Sequence, residues 1–266
     1  MPAHLLQIAK KLAGDAGQLA LKIQEKGFTV HSKNGNNLNL VTSADIACEE
    51  LITKTIKTHF PDHSIVTEES EPLENTGEYK WIIDPLDGTS NFSHGLPIFA
   101  ISIAIVHKGK PIIGVVEIPG LRETFWAEEG SGAYLNGKKI LVSQTAELGS
   151  GLFTTGFPYD RTGARYQKNM ELFKAVYTES HGVRRMGSAA MDLCFLAAGR
   201  FDAFWEYGLE AWDIAAGKII VEEAGGLVTN MDGTTLNPKL KNMLATNRVL
   251  HPTFLKIIKD MGGDKI

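Results

Sequence analysis

The sequence predicts a layered protein of the α/β or α+β class, and three observations carry that expectation. Its 266 residues are 43% hydrophobic, which is enough for a sizeable core. The first half sets two helical patterns ahead of a run of strands, whereas the second half alternates strand with helix. No repeat, low-complexity tract or Pro/Ser-rich linker separates the halves. Residues 1–147 and 148–266, with a boundary near 145–150, are therefore expected to pack intimately as one catalytic unit.

The first pattern, over about 3–26, places Leu5, Ile8, Leu12, Leu19 and Ile23 at helical spacing, while Lys10, Lys11 and Asp15 interrupt any apolar run. It reads as an amphipathic helix, not a signal peptide or a membrane span. A second helix is expected over about 45–59. Strands follow at 63–67, 80–84, 98–106, 111–119 and 123–129, and an Asn136-Gly137 pair then marks a hairpin. The run "LPIFAISIAIV" at 96–106 is too short to cross a bilayer and rich in β-branched residues, as a buried strand is. Beyond it, strands at 151–156, 182–186, 201–206 and 227–231 alternate with helices at about 163–178, 188–199 and 212–226.

The net charge of −4 and pI near 6.1 give no basic footprint for nucleic acid or an anionic membrane. A small-molecule partner is expected instead. Cys48 and Cys194 lie far apart in apolar helical stretches, so both read as buried thiols in a reducing, cytoplasmic compartment.

The stretch "WIIDPLDGTSNF" at 81–92 ends a buried strand with two carboxylates, Asp84 and Asp87, around Pro85 and Gly88. Pro85 removes a ladder donor, so the strand is expected to stop at Asp84. Should the two carboxylates approach to about 4 Å, their repulsion at an effective dielectric near 20 is roughly 4 kcal/mol. Either one is protonated, or a cation sits between them, or each caps a turn by itself. Glu68 and Glu69 follow the strand at 63–67, and Asp213 opens a helix, so acidic groups gather at three element ends. Oxygen ligands with almost no nearby His or Cys suit Mg²⁺ or Mn²⁺ better than zinc. Thr89 is placed to start a short helix whose free amides favour an anion such as phosphate. A divalent-metal site beside an anion cradle points to phosphoryl transfer to water.

Three segments in this order, "TEES" at 67–70, "WIIDPLDGTSNF" and "EAWDIAAGKIIVEEAGG" at 210–226, resemble the inositol monophosphatase family. The likeness extends to "NLVTSAD" at 39–45 and "GSAAMDLCFLAAGRFDAFWE" at 187–206, and so through nearly the whole chain. The resemblance implies a five-layered αβαβα sandwich of the sugar-phosphatase type, a homodimer, sensitivity to lithium and two or three Mg²⁺ ions. Glu68, Asp84, Asp87 and Asp213 then stand as metal carboxylates, with the backbone carbonyl of Leu86 as a further ligand and Asp84 bridging two ions. Thr89, supported by Asp45, positions the attacking water with Glu68. The amides of Gly88 and Thr89 hold the phosphate; Glu206, with Asp87 and the backbone around Ser188 and Ala189, faces the hydroxyls of a polyol. Thr67 departs from the usual glycine and Ser90 from the usual threonine, and neither supplies a carboxylate.

The resemblance implies a phosphomonoesterase acting on inositol 1-phosphate or similar polyol phosphates. Fructose 1,6-bisphosphate is an alternative substrate, and a non-enzymatic regulatory role is a third reading. "DPLDGT" superficially resembles the DxDGT signature of haloacid-dehalogenase-type enzymes, but here the aspartates stand three apart, not two. Lys33 in "HSKNGNN" reads equally as a mobile-loop lysine that reaches the site or as a solvated one, and Arg184 and Arg185 either brace the site or pair with acidic neighbours.

Overall fold

The computed structural model describes residues 2–33 and 35–265. Two helices, α1 (Pro2–Lys26) and α2 (Ser43–His59), form the first layer. Between them lies a two-stranded hairpin, β1 (Val30–Lys33) and β2 (Asn36–Thr42), where a loop was expected. A seven-stranded sheet follows: β3 (Ser64–Thr67), β4 (Tyr79–Asp87), β5 (Ala100–His107), β6 (Lys110–Ile118), β7 (Glu123–Glu128), β8 (Gly132–Leu135) and β9 (Lys138–Ile140), side by side in chain order. The expected Asn136-Gly137 turn joins β8 to β9. A short helix, α3 (Thr89–Ser93), interrupts the series after β4.

The second sheet holds β10 (Phe153–Thr155), β11 (Val183–Arg184), β12 (Ala203–Tyr207), β13 (Leu227–Thr229) and β14 (Asn242–Thr246), in the order β11-β10-β12-β14-β13. Its helices are α4 (Ala164–Thr178), α5 (Ala189–Ala197), α6 (Ala211–Glu223) and α7 (His251–Asp260). Helices α5 and α6 fill the space between the sheets, while α4 and α7 cover the outer face of the smaller one. The order of layers is αβαβα.

Each apolar pattern has its counterpart. Seven of the eight residues of β5 are buried because α1 covers one face and α6 the other, which explains a continuous apolar run instead of an alternating one. On α1 the buried stripe is Leu5, Ala9, Leu12, Ala13, Ala16 and Ala20, whereas Ile8, Leu19 and Ile23 are only partly covered. The alanines let the helix lie close against α2 and the sheet. Cys48 and Cys194 are free and fully buried. No helix among the described residues is long and apolar enough to cross a membrane.

Candidate active site

Strand β4 does not stop at Asp84. It pairs with β5 from Tyr79↔His107 to Asp84↔Ser102, then resumes at Asp87↔Ala100, so Pro85 and Leu86 oppose the single residue Ile101. This is a β-bulge: the missing amide of Pro85 falls where the ladder is already broken, and the local kink turns both aspartates toward one cavity. Strand β3 runs parallel to β4 with Thr67 beside Ile83, which brings Glu68 next to Asp84. The first turn of α6 supplies Asp213. Glu68, Asp84, Leu86, Asp87 and Asp213 line a cavity of about 320 Å³.

Three of these carboxylates hold one oxygen in place through a backbone amide. Asp84 Oδ1 accepts from Leu86 N at 3.0 Å, Asp87 Oδ2 from Ala190 N at 2.7 Å, and Asp213 Oδ2 from Glu210 N at 2.7 Å. Asp87 Oδ2 also accepts from Ser188 Oγ at 2.8 Å, which ties the bulge to the start of α5. Among the described residues no backbone amide reaches the second oxygen of any of the three, and Asp84 meets the Glu68 carboxyl.

Glu68 is held differently. Lys33 Nζ donates to Glu68 Oε1 and Glu69 Oε1 at 2.6 Å each, so the lysine reaches the site from β1 and is neither solvated nor on a loop. Burial alone would lower the ammonium's pKa, but the charges of Glu68 and Glu69 reverse the shift and raise it. Glu49 on α2 accepts from Thr67 Oγ1 at 2.5 Å and from Glu69 N at 3.0 Å, clamping the turn on either side of Glu68.

Beneath the cavity, Asp45 occupies the third position of α2 and closes a capping box with Thr42. Its other oxygen lies 3.0 Å from Thr89 Oγ1, which is also 3.2 Å from the Leu86 carbonyl, so the one hydroxyl hydrogen has two acceptors. Gly88 precedes α3 at φ 102°, and a Cβ there would stand 3.0 Å from Ile98 O and 3.2 Å from Gly187 O. Only glycine admits that left-handed turn at this close approach.

Across the cavity, Glu206 at the end of β12 lies against Gly156, where an added Cβ would meet its carboxylate at 2.0 Å. Ser188 and Ala189 line the same wall, and Ser188 caps α5 through Met191 N at 3.3 Å. The sequence reading missed Asp192, which lines the cavity and accepts from Thr154 Oγ1 at 2.7 Å, and Tyr159 on the loop after β10. Asp192 reads locally as a polar break in an apolar helix; "GFPYD" at a strand end was the available signal for Tyr159. Arg185 lines the cavity without an ion pair or hydrogen bond among the described residues, while Arg184 is exposed and offers only its carbonyl to Thr154.

The electrostatics of this cavity are those of crowded anions. Burial pushes Asp84 well above the ordinary carboxylate range, and the charges of Glu68, Asp87 and Asp213 add to the shift. Burial and the Asp87 charge do the same to Asp213. Asp87 rises to about 6 through burial, with the bonds from Ala190 and Ser188 opposing. Glu206 rises to about 8 through burial and then the charges of Asp192 and Asp87. Only Lys33 and Arg185 among the lining residues oppose these charges, which leaves the set in need of a further cation. Among the described residues no three His, Cys, Asp or Glu side chains are already arranged to hold a metal ion, and Lys33 is the cation that Glu68 now has. The donor chemistry nonetheless fits a hard divalent ion: seven carboxylate residues line the cavity, Glu68, Asp84, Asp87 and Asp213 among them, with the Leu86 residue beside them, and no His or Cys does.

Five layers around an acidic cavity at the strand ends define a phosphatase fold of the sugar-phosphatase type. The chain belongs to the inositol monophosphatase family, whose model matches residues 1–262. It is 42% identical over 264 residues to the chloroplastic phosphatase IMPL1 of Arabidopsis thaliana, covering 97% of this chain and 70% of that one. It is 39% identical over 256 residues to the fructose-1,6-bisphosphatase/inositol-1-monophosphatase of Thermotoga maritima, 96% of each chain. The crystal structure of the extragenic suppressor protein suhB from Bartonella henselae matches with a TM-score of 0.91 and 34% identity over 96% of this chain and 98% of that one. The family is generally Mg²⁺-dependent.

Proposed function

We propose that the chain is a Mg²⁺-dependent phosphomonoesterase that hydrolyses inositol 1-phosphate or similar polyol phosphates by direct attack of water. The observation that carries this reading is the convergence of Glu68, Asp84, Asp87 and Asp213 on one cavity free of His and Cys. These four and the Leu86 carbonyl would hold the metal, which polarises the phosphate and lowers the pKa of a nucleophilic water when bound. Thr89, with its hydroxyl shared between Asp45 and Leu86 O, would orient that water together with Glu68, which lines the same cavity. The Gly88 and Thr89 amides, at the start of α3 in the same cavity, would receive phosphoryl oxygens. Glu206, Asp87 and the Ser188–Ala189 backbone form the wall that accepts hydroxyl hydrogens of the alcohol.

A second substrate class has its own support. Arg185 lines the cavity without a hydrogen bond or close ion pair among the described residues, its charge opposing those of Asp87, Asp192 and Glu206, which suits it to a second phosphate, and the Thermotoga maritima relative carries both activities in its name. Phosphate release from inositol 1-phosphate and fructose 1,6-bisphosphate, with Mg²⁺, with chelator and with lithium, tests both readings. We expect release from inositol 1-phosphate that chelator abolishes and lithium inhibits. Release from neither ester would reject the proposal. The same reading takes the enzyme to be a homodimer, which light scattering of the purified chain checks.

A further inference from the structure

Tyr159 stands on the loop between β10 and α4, at the mouth of the cavity. The residue is 53% exposed, yet its phenol feels the cavity: burial first, and then the charges of Glu68, Asp87 and Asp213, push its pKa up. Tyr159 thus shares the cavity lining with Glu68, Asp87 and Asp213 while about half of the residue faces solvent. The loop is pinned at both ends. Asn169 Nδ2 donates to Gly156 O, and Asp160 Oδ1 accepts from the amides of Thr162 and Gly163 at 3.0 and 3.1 Å. Phe157 packs on Tyr166 at 5.9 Å and on Phe173 at 6.1 Å between ring centres.

The Tyr159 hydroxyl has no hydrogen-bond partner among the described residues. Lys33, Thr89 and Ser188, which also face the cavity, already donate to carboxylates. A phenol, whose ordinary pKa is about 10, keeps its proton at working pH, so Tyr159 is a standing donor in a cavity lined by carboxylate acceptors. Anions with several acceptor oxygens suit such a donor; a carboxylate already tethered does not need it.

We propose that Tyr159 is a substrate-binding residue whose hydroxyl donates to a phosphoryl oxygen of the bound monoester while its ring covers that oxygen from water. This rests on the phosphatase reading of the cavity. The role differs from that of the Gly88 and Thr89 amides, which reach the phosphate from within the fold; Tyr159 closes the opposite, solvent side.

The test is titration of the Mg²⁺-loaded chain with inorganic phosphate by calorimetry, for the wild type, Tyr159→Phe and Tyr159→Ala. A lost hydrogen bond to an anion predicts about tenfold weaker phosphate binding for Tyr159→Phe, at an unchanged melting temperature. KM for inositol 1-phosphate should rise by the same factor while kcat stays within about twofold, and Tyr159→Ala should bind phosphate no better than Tyr159→Phe. Equal phosphate affinity in the wild type and Tyr159→Phe overturns the contact, whatever the turnover. A wild type that binds phosphate about tenfold better than Tyr159→Phe, yet releases none from any ester, supports the contact and overturns the phosphatase reading alone.

Discussion

Asp87 shows how much a single carboxylate does here. One oxygen takes a hydroxyl and an amide from the start of α5, and the other has no such tether. Replacing Asp87 with Asn keeps an oxygen for those two bonds but turns a neutral amide toward the cavity. We expect Asp87→Asn to fold and to lose more than the roughly 10- to 100-fold in phosphate release that a change outside the ligand set brings. Near-normal turnover at saturating Mg²⁺ would remove it from the ligand set. Gly88 is the second sensitive position, since an alanine there meets both a left-handed φ and the Ile98 carbonyl. Gly88→Ala should lower stability by about 1–3 kcal/mol, read as a shifted denaturation midpoint. An unchanged midpoint would mean that the turn relaxes freely. Both positions stood out in the sequence because Asp84, Pro85, Asp87 and Gly88 lie within five residues, although the bulge that joins them did not. Asp192 and Tyr159 were not: an aspartate in an apolar helix and a tyrosine in a loop acquire meaning only from what the fold sets opposite them.

At the level of elements, strand ends and helix starts deliver the site, and these were the features that local patterns predicted well. Helix α2, strand β3 and helix α6 arise where apolar periodicity and capping residues place them, and they present Asp45, Glu68 and Asp213 at their ends. The β1–β2 hairpin, strand β14 and helix α7 escaped. The hairpin alternates Leu38 and Leu40 with Asn37 and Asn39 over only a few residues and buries neither leucine fully, so the pattern is too short and polar to stand out from a loop. Strand β14 is five residues long and fully buried between β12 and β13, and only those neighbours make it a strand. Pro85 misled in the opposite direction, because the bulge absorbs it and β4 continues. The clamp of Glu49 on Thr67 and Glu69 joins α2 to β3 without lining the cavity. Glu49→Ala should therefore raise the Mg²⁺ concentration for half-activation by about 10- to 100-fold, while saturating Mg²⁺ restores most of kcat. If the half-activation point does not move, Glu68 keeps its place without the clamp.

Over the whole molecule, apolar burial in three clusters holds a cavity whose anions oppose one another, so stability and metal binding are linked through pH. The folded chain holds Asp87 at about 6, Glu69 at about 7 and Glu206 at about 8, against ordinary values of 3.8, 4.5 and 4.5. Burial is the leading cause of each shift. Each folded value is raised, so the protonated form is the one that favours folding. That contribution is fully present below about pH 4 and is lost as pH rises through the folded values to about 8. A divalent cation acts in the opposite direction, because it binds the deprotonated carboxylates of the folded chain and stabilises by mass action. The melting temperature in chelator should thus fall between about pH 5 and pH 8, and the gain on adding Mg²⁺ should be larger at pH 8 than at pH 5. A metal-free melting temperature that instead climbs across this range would mean that Lys33 and Arg185 already balance the carboxylates. The cavity would then need no divalent ion to settle its charge, and the case for Mg²⁺ would rest on the family alone.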